Sequence, residues 1–155
     1  MFARDDIVLY EFVYSGPLGY WHILSSLYSF QALRDETARR FRATMDAIAE
    51  TARVAVPGAT CRDIGAASDR VFKEHGFTVV GKHTIDCHPI GLDINDGPRD
   101  IPPDWQLEEN MTIAVHPASL LEGDLGFFLC DVFLVKPGGA VPLSPRTSFY
   151  ELLAS

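Results

Sequence analysis

The strongest constraint on this chain is a change of hydrophobic period near residue 33. Before it, Ile7 to Val13 and Tyr20 to Phe30 are rich in β-branched and aromatic residues. They flank Ser15-Gly16-Pro17-Leu18-Gly19, a turn sequence, so the two segments read as a β-hairpin. From Leu33 to Val54 the period becomes helical, with Thr37, Phe41, Met45, Ile48 and Ala52 on one face. Pro57-Gly58 ends that helix. Thr60 then reads as the N-cap of a second one, with Asp63 closing a short-armed capping box. Ile64, Ala67, Val71 and Phe72 form its apolar face, and Gly76 sits where a helix C′ glycine is expected.

Beyond Gly76 the chain reads as strands again. Phe77 to Val80, His83 to Leu92, Met111 to His116, Gly126 to Lys136 and Ala140 to Leu143 are the expected extended segments. Asn95 to Trp105 carries three prolines and a glycine and is expected to be a surface loop. Ser144-Pro145 predicts a short last helix running to Leu153. Hairpin, two helices and a run of strands define an α+β class, with the two helices backing one face of a curved, mostly antiparallel sheet.

With 155 residues the chain is expected to form a single domain over 1–155. Its net charge of −8 argues against nucleic acid or an anionic membrane as partner. No apolar run is long enough to span a bilayer, and the first residues lack a signal-peptide pattern. Cys61, Cys87 and Cys130 have no framework spacing and read as reduced thiols in a cytoplasmic protein.

Two segments carry the chemistry. One is Cys87-His88-Pro89-Ile90-Gly91-Leu92-Asp93. The other is Asn110-Met111-Thr112-Ile113-Ala114-Val115-His116-Pro117. They resemble the G-H-G-I-G-L-D and G-M-x-x-x-x-E-P signatures of the creatinase, Xaa-Pro aminopeptidase and methionine aminopeptidase superfamily, whose fold is called pita-bread. The resemblance covers nearly the whole chain. It implies the central hairpin and C-terminal half of that fold, without the helix-rich half that normally precedes them.

Metal-dependent members of that superfamily carry Asp, Asp, His, Glu and Glu ligands. The resemblance places Glu11 at the first position, His88 at the third, His116 at the fourth and Cys130 at the fifth. For the second, counting from Gly19-Tyr20 gives Ile23, whereas the family spacing from Glu11 gives His22; the Gly-Tyr anchor is closer and favours Ile23. The family's second histidine falls on Asn95. Two adjacent divalent ions need several carboxylates, so this set argues against a dinuclear hydrolase.

The expected cofactor is therefore none, with one zinc ion as the alternative. Zinc takes nitrogen and sulfur ligands, and Glu11, His22, His88, His116 and Cys130 are all able to bind it. The leading reading is a metal-independent hydrolase or lyase acting on a small amide-like or peptide-like molecule. In it His88 is the general acid/base, His116 its partner or an oxyanion stabiliser, and Asn95, Cys130, Trp21 and Tyr20 line the substrate. The alternative is a non-catalytic peptidase-fold binding module. Creatinase is a metal-free precedent within the resemblance. Its substrate-binding carboxylates, however, correspond to Ser25 and His116 here, which argues against creatine-like substrates.

Several residues have simpler readings. Asp93, Asp96 and Asp100 read as turn formers, Cys87 as a buried structural thiol, and His75 as a helix C-terminal cation. His83 lies near a strand start. An unpaired edge at Ile7 to Val13 predicts a homodimer or other oligomer.

Overall fold

The computed structural model describes residues 2–82, 86–98, 100–117, 119–125, 127–144 and 148–153. Strands β1 (Ile7–Ser15) and β2 (Trp21–Ser29) form the predicted hairpin, in register from Ile7 opposite Ser29 to Ser15 opposite Trp21. Helices α1 (Asp35–Val54) and α2 (Cys61–Glu74) follow. The strands after them are β3 (Val79–Lys82), β4 (Cys87–Pro89), β5 (Thr112–Val115), β6 (Ser119–Leu121), β7 (Asp124–Leu125), β8 (Asp131–Leu134), β9 (Val141–Pro142) and β10 (Tyr150–Leu152). They form three sheets, ordered β1-β2-β10, β3-β6-β7 and β4-β5-β8-β9. All pairings are antiparallel except that of β10 with β2.

The end of the chain differs from the sequence expectation. Instead of a helix from Ser144 to Leu153, Tyr150 to Leu152 add a parallel strand beside Leu27 to Ser29. The cap and N1 residues favoured a helix locally, but β2 offers an open row of backbone groups on that side. The Leu27 amide bonds the Phe149 carbonyl, and the Leu153 amide bonds the Ser29 carbonyl. Pro145 lies outside the described residues, as does His83. Strands β6 and β7 were not expected; they are too short to show a period of two.

Local signals explain the helices. Thr60 Oγ1 accepts from the Asp63 amide, while the Asp63 carboxylate accepts from the Thr60 amide, a complete capping box. At the other end Gly76 has φ of +81°. Its amide bonds Lys73 O and that of Phe77 bonds Phe72 O, the two bonds of a Schellman motif. The buried stripe of α1 is broader than the predicted face. Ala43 and Ala47 pack with Val71, Phe72 and Phe77 near α2, while Ile48 and Ala52 join the main core with Leu27, Ile64, Ile113, Val115 and Phe133. A helix held between a second helix and a sheet needs two apolar flanks. Thr44 and Thr51 lie fully buried on it because their hydroxyls donate to the carbonyls of Arg40 and Ile48.

Hydrogen bonds from Trp21 and Ser25 fasten the hairpin to the β4-β5-β8 sheet. The Trp21 amide bonds Gly91 O at 2.7 Å, and the Ser25 amide bonds Cys130 O. Ser25 Oγ, fully buried, also donates to Cys130 O and accepts from the Cys130 amide. The Asp96 carboxylate lies close over Gly91, so a Cβ there would push that carboxylate aside. That carboxylate accepts from the Leu92 amide, as its turn-forming role predicts. The capping box provides a direct test of helix α2. Thr60→Ala leaves the Asp63 amide without its acceptor, and the expected loss is about 1 kcal/mol in urea unfolding with an unchanged m-value.

Candidate functional site

The site is built by alternation along β4 and β5. His88 lies opposite Ala114, and its neighbour Cys87 lies opposite Val115. Adjacent strand residues face opposite sides. Cys87 therefore enters the main core with Val115 and Leu129, while Ala114 joins Ile23, Ile90, Cys130 and Val132 on the other side of the sheet. His116 follows β5, its amide bonded to Asp86 O at 2.9 Å, which carries the ladder one pair further. Two residues beyond Ala114, it is the diagonal neighbour of His88.

The two imidazoles meet. Their ring centroids are 5.2 Å apart, tilted by 59°, and His116 also packs against Phe128 at 5.3 Å. Both are buried, with 6% and 5% of their surfaces exposed. His88 Nδ1 lies 3.0 Å from the Pro89 carbonyl. A carbonyl only accepts, so Nδ1 carries the proton in the neutral ring, and Nε2 keeps the lone pair. His116 Nδ1 is buried and has no side-chain hydrogen-bond partner among the described residues. Burial pushes the His88 pKa below the ordinary histidine range, against the Pro89 carbonyl, which favours the proton. For His116, burial first and the neighbouring His88 second hold the pKa down to about 3. Both rings are neutral at pH 7.

The remaining predicted site residues divide. Cys130 is fully buried in the apolar cluster on the His88 side of the sheet, and Ile23, 3% exposed, is in the same cluster with half-buried Trp21 packed against it. The register places Ile23 opposite Val13 and Glu11 opposite Ser25, so Glu11 projects to that side as well. Glu11 is exposed at the hairpin edge, and partial desolvation raises its carboxyl pKa. His22 points the other way. It pairs with Tyr14 and lies 3.0 Å from Ser144 Oγ, which donates to Asp131 Oδ1. The hairpin register puts Ile23 on the face of the histidine pair and His22 on the opposite one. Tyr20 is 59% exposed in the hairpin turn, and Asn95 is exposed in the loop after β4.

Among the described residues no three His, Cys, Asp or Glu side chains lie close enough to hold one ion. An apolar Ile23 and a Cys130 enclosed by hydrocarbon do not fit a pair of hard divalent cations, which need bridging carboxylates. Sequence reasoning missed Phe128, whose aromatic signal was absorbed in a β-rich run, and the His22–Ser144–Asp131 chain, which only folding brings together.

Two helices and mostly antiparallel sheets, one of them carrying the histidine-bearing strand pair, define a partial pita-bread α+β fold. The profile of metallopeptidase family M24 matches residues 2–137, and the chain belongs to that family. Among curated proteins no sequence matches. Solved structures with the same fold include dipeptidase PepE from Mycobacterium ulcerans (21% identity, TM-score 0.82, 99% of this chain and 41% of that one). Prolidase from Pyrococcus furiosus is similar at 20% identity and TM-score 0.77, over 94% of this chain and 43% of that one. Methionine aminopeptidase from Rickettsia prowazekii follows at 21% identity and TM-score 0.71, over 90% and 64%. The chain therefore spans less than two thirds of the length of these relatives.

The pH dependence of folding follows from the histidines. In the unfolded chain each titrates near 6.5, whereas the folded values are lower. Below 6.5 the unfolded state binds more protons, so stability is complete above that pH and falls as pH drops towards 3. The expected loss attributable to His116 is on the order of 3–5 kcal/mol across that window. Urea unfolding measured at several pH values should show the slope, and His116→Gln should flatten it.

Proposed function

We propose that this M24 protein is a metal-independent hydrolase or lyase of a small amide-like or peptide-like molecule. The observation that carries this reading is the buried contact between His88 and His116. Two neutral imidazoles held side by side form an acid/base pair of the kind that moves a proton during amide chemistry. With its proton held at Nδ1 by Pro89, His88 presents Nε2 as the base. His116, whose Nδ1 has no side-chain partner among the described residues, binds the polar group of the ligand or stabilises the developing negative charge. Trp21 and Cys130 line the apolar side. Tyr20 and Asn95, being exposed, contact a ligand only at the rim.

Loss of the dinuclear metal site belongs to this proposal. It is supported by the absence of a three-ligand cluster among the described residues and by isoleucine in place of a carboxylate. A mononuclear zinc site is the competing form, but His22 faces away from the other four residues. A second reading, a non-catalytic binding module, is favoured by the near-complete enclosure of both rings. We place the protein in the cytoplasm on its reduced cysteines. Among the described residues, no helix is long and apolar enough to cross a membrane.

His88→Ala should abolish turnover, with a loss of ~10²–10⁴ or more in rate, while the fold persists by circular dichroism. Native protein should hold less than about one divalent ion per chain by elemental analysis. Two stoichiometric ions would sink the metal-independent reading. No turnover by wild type across dipeptides, guanidino compounds and amides would make the binding module the better account.

We also propose a homodimer that covers β1. Within the described residues β1 pairs on one side with β2, and it exposes Phe12 (58%), Tyr14 (47%) and Val13 (38%). An edge with apolar side chains invites pairing with a second copy. Sedimentation velocity at micromolar concentration should show a dimer that Phe12→Lys weakens. A monomer at all concentrations would count against it.

A further inference from the structure

The back of β4 carries chemistry of its own. Cys87, beside His88 in sequence, faces the helices. Its Sγ lies 3.7 Å from the Sγ of Cys61, the first residue of α2. The two thiols differ sharply in environment. Cys87 is 1% exposed, whereas Cys61 is half-buried and lines a cavity of about 480 Å³. Cys87, Asp69, Lys82 and Asp86 share that cavity, as do Ile101 and Pro103. Both thiols line the cavity, but Cys61 offers far more surface to a small molecule entering it than Cys87, which is almost fully enclosed.

Electrostatics sort the roles in the same sense. The hydrogen bond from Cys87 lowers the Cys61 pKa, and it outweighs burial and the Asp86 carboxylate, which both act to raise it. The Cys87 pKa is raised well above the usual thiol value, by that same bond and by burial. Cys61 also sits in the first turn of a 14-residue helix, where the aligned peptide dipoles favour an anion. The charged groups around the pair include Arg62, Asp69, Lys82 and Asp86, and the Lys82 ammonium is bonded to both carboxylates. Its exposure to the cavity and its place at the start of α2 make Cys61 the reactive thiol of the pair.

We propose that Cys61 and Cys87 form a dithiol site for hydroperoxides, with Cys61 as the attacking thiolate and Cys87 as the resolving thiol. In the first step Cys61 Sγ bonds to a peroxide oxygen, the O–O bond breaks, and the second oxygen leaves as water or alcohol after taking a proton. Cys61 is now a sulfenic acid. In the second step Cys87 Sγ attacks Cys61 Sγ, the S–O bond breaks, and the hydroxyl leaves as water with the Cys87 proton. The two sulfurs together lose two electrons, and the peroxide gains them. Closure needs the sulfurs to approach by roughly 2 Å to reach disulfide distance, a movement within the reach of a side-chain rotation. A thiol reductant reverses it. The resulting bond ties the start of α2 to the residue next to His88. Cys130 serves as an internal control, because it is fully buried on the opposite side of the sheet.

The test treats the full chain with graded hydrogen peroxide, removes the peroxide, unfolds the chain in denaturant with an alkylating reagent that blocks every free thiol, and maps peptides without reduction. The expected product is an intrachain Cys61–Cys87 linkage, two hydrogens lighter, reversed by dithiothreitol, with Cys130 alkylated throughout. In Cys87→Ser the same treatment should leave a Cys61 sulfenic acid that dimedone captures. In Cys61→Ser, Cys87 should remain an alkylatable thiol. Circular dichroism checks that both variants fold, and Cys87→Ala replaces a Cys87→Ser that does not. The proposal is overturned if Cys61 in the wild type remains a free thiol at peroxide levels that oxidise free cysteine. It is also overturned if Cys61 oxidises without ever linking to Cys87, or if disulfides form only between chains.

Discussion

Alternation across the β4-β5-β8 ladder is the constraint on which the rest of this structure depends. One residue separates Cys87, which faces the helices, from His88, which faces the hairpin side. The same step separates Val115 from Ala114 and Asp131 from Val132. A slip of one position would send the histidine into the hydrocarbon core and expose the thiol pair on the other face. The register is held by core residues with no polar alternative, notably Ile113, Val115 and Phe133. The hairpin is then locked to the sheet through Ser25, whose hydroxyl satisfies both backbone groups of Cys130.

Enclosure gives the histidine pair its character. An imidazole in water near neutral pH is divided between two charge states. Here burial disfavours the charged form of both rings, and His88 further penalises protonation of His116. What remains is a neutral donor–acceptor pair fixed by a backbone carbonyl on one side and an aromatic ring on the other. The protein tolerates this because both segments are strands with main-chain bonds already satisfied. The cost falls on acid stability rather than on folding at neutral pH.

Family M24 membership fixes the fold, and the side chains on the histidine face of the sheet are set separately. Fold and ligand set are separable because they rest on different atoms. The helices, the register and the hairpin junction depend on apolar packing and backbone bonds, which Ile23 and Cys130 serve as well as carboxylates would. A buried carboxylate without a cation would in fact be destabilising there, so an isoleucine and a thiol are compatible with that site when no ion is present.

The sequence by itself determined the period of each element: the hairpin, both helices, the capping box at Thr60 and the glycine at the end of α2. Those signals are local, written within a few residues, and they needed no partner to be read. The two histidine-bearing segments were equally visible, as was the placement of Cys87 and His88 on opposite faces. Folding alone decided the rest, because it depends on residues far apart in the chain. The last segment became a strand rather than a helix because β2 had a free edge to offer. Helix α1 buried a wider stripe because two neighbours claimed it. Ile23 rather than His22 reached the site because the hairpin register, set over nine pairs, outweighs any count along the sequence. The contact between Cys61 and Cys87, 26 residues apart, exists because α2 begins directly behind β4. Sequence spacing cannot express that distance.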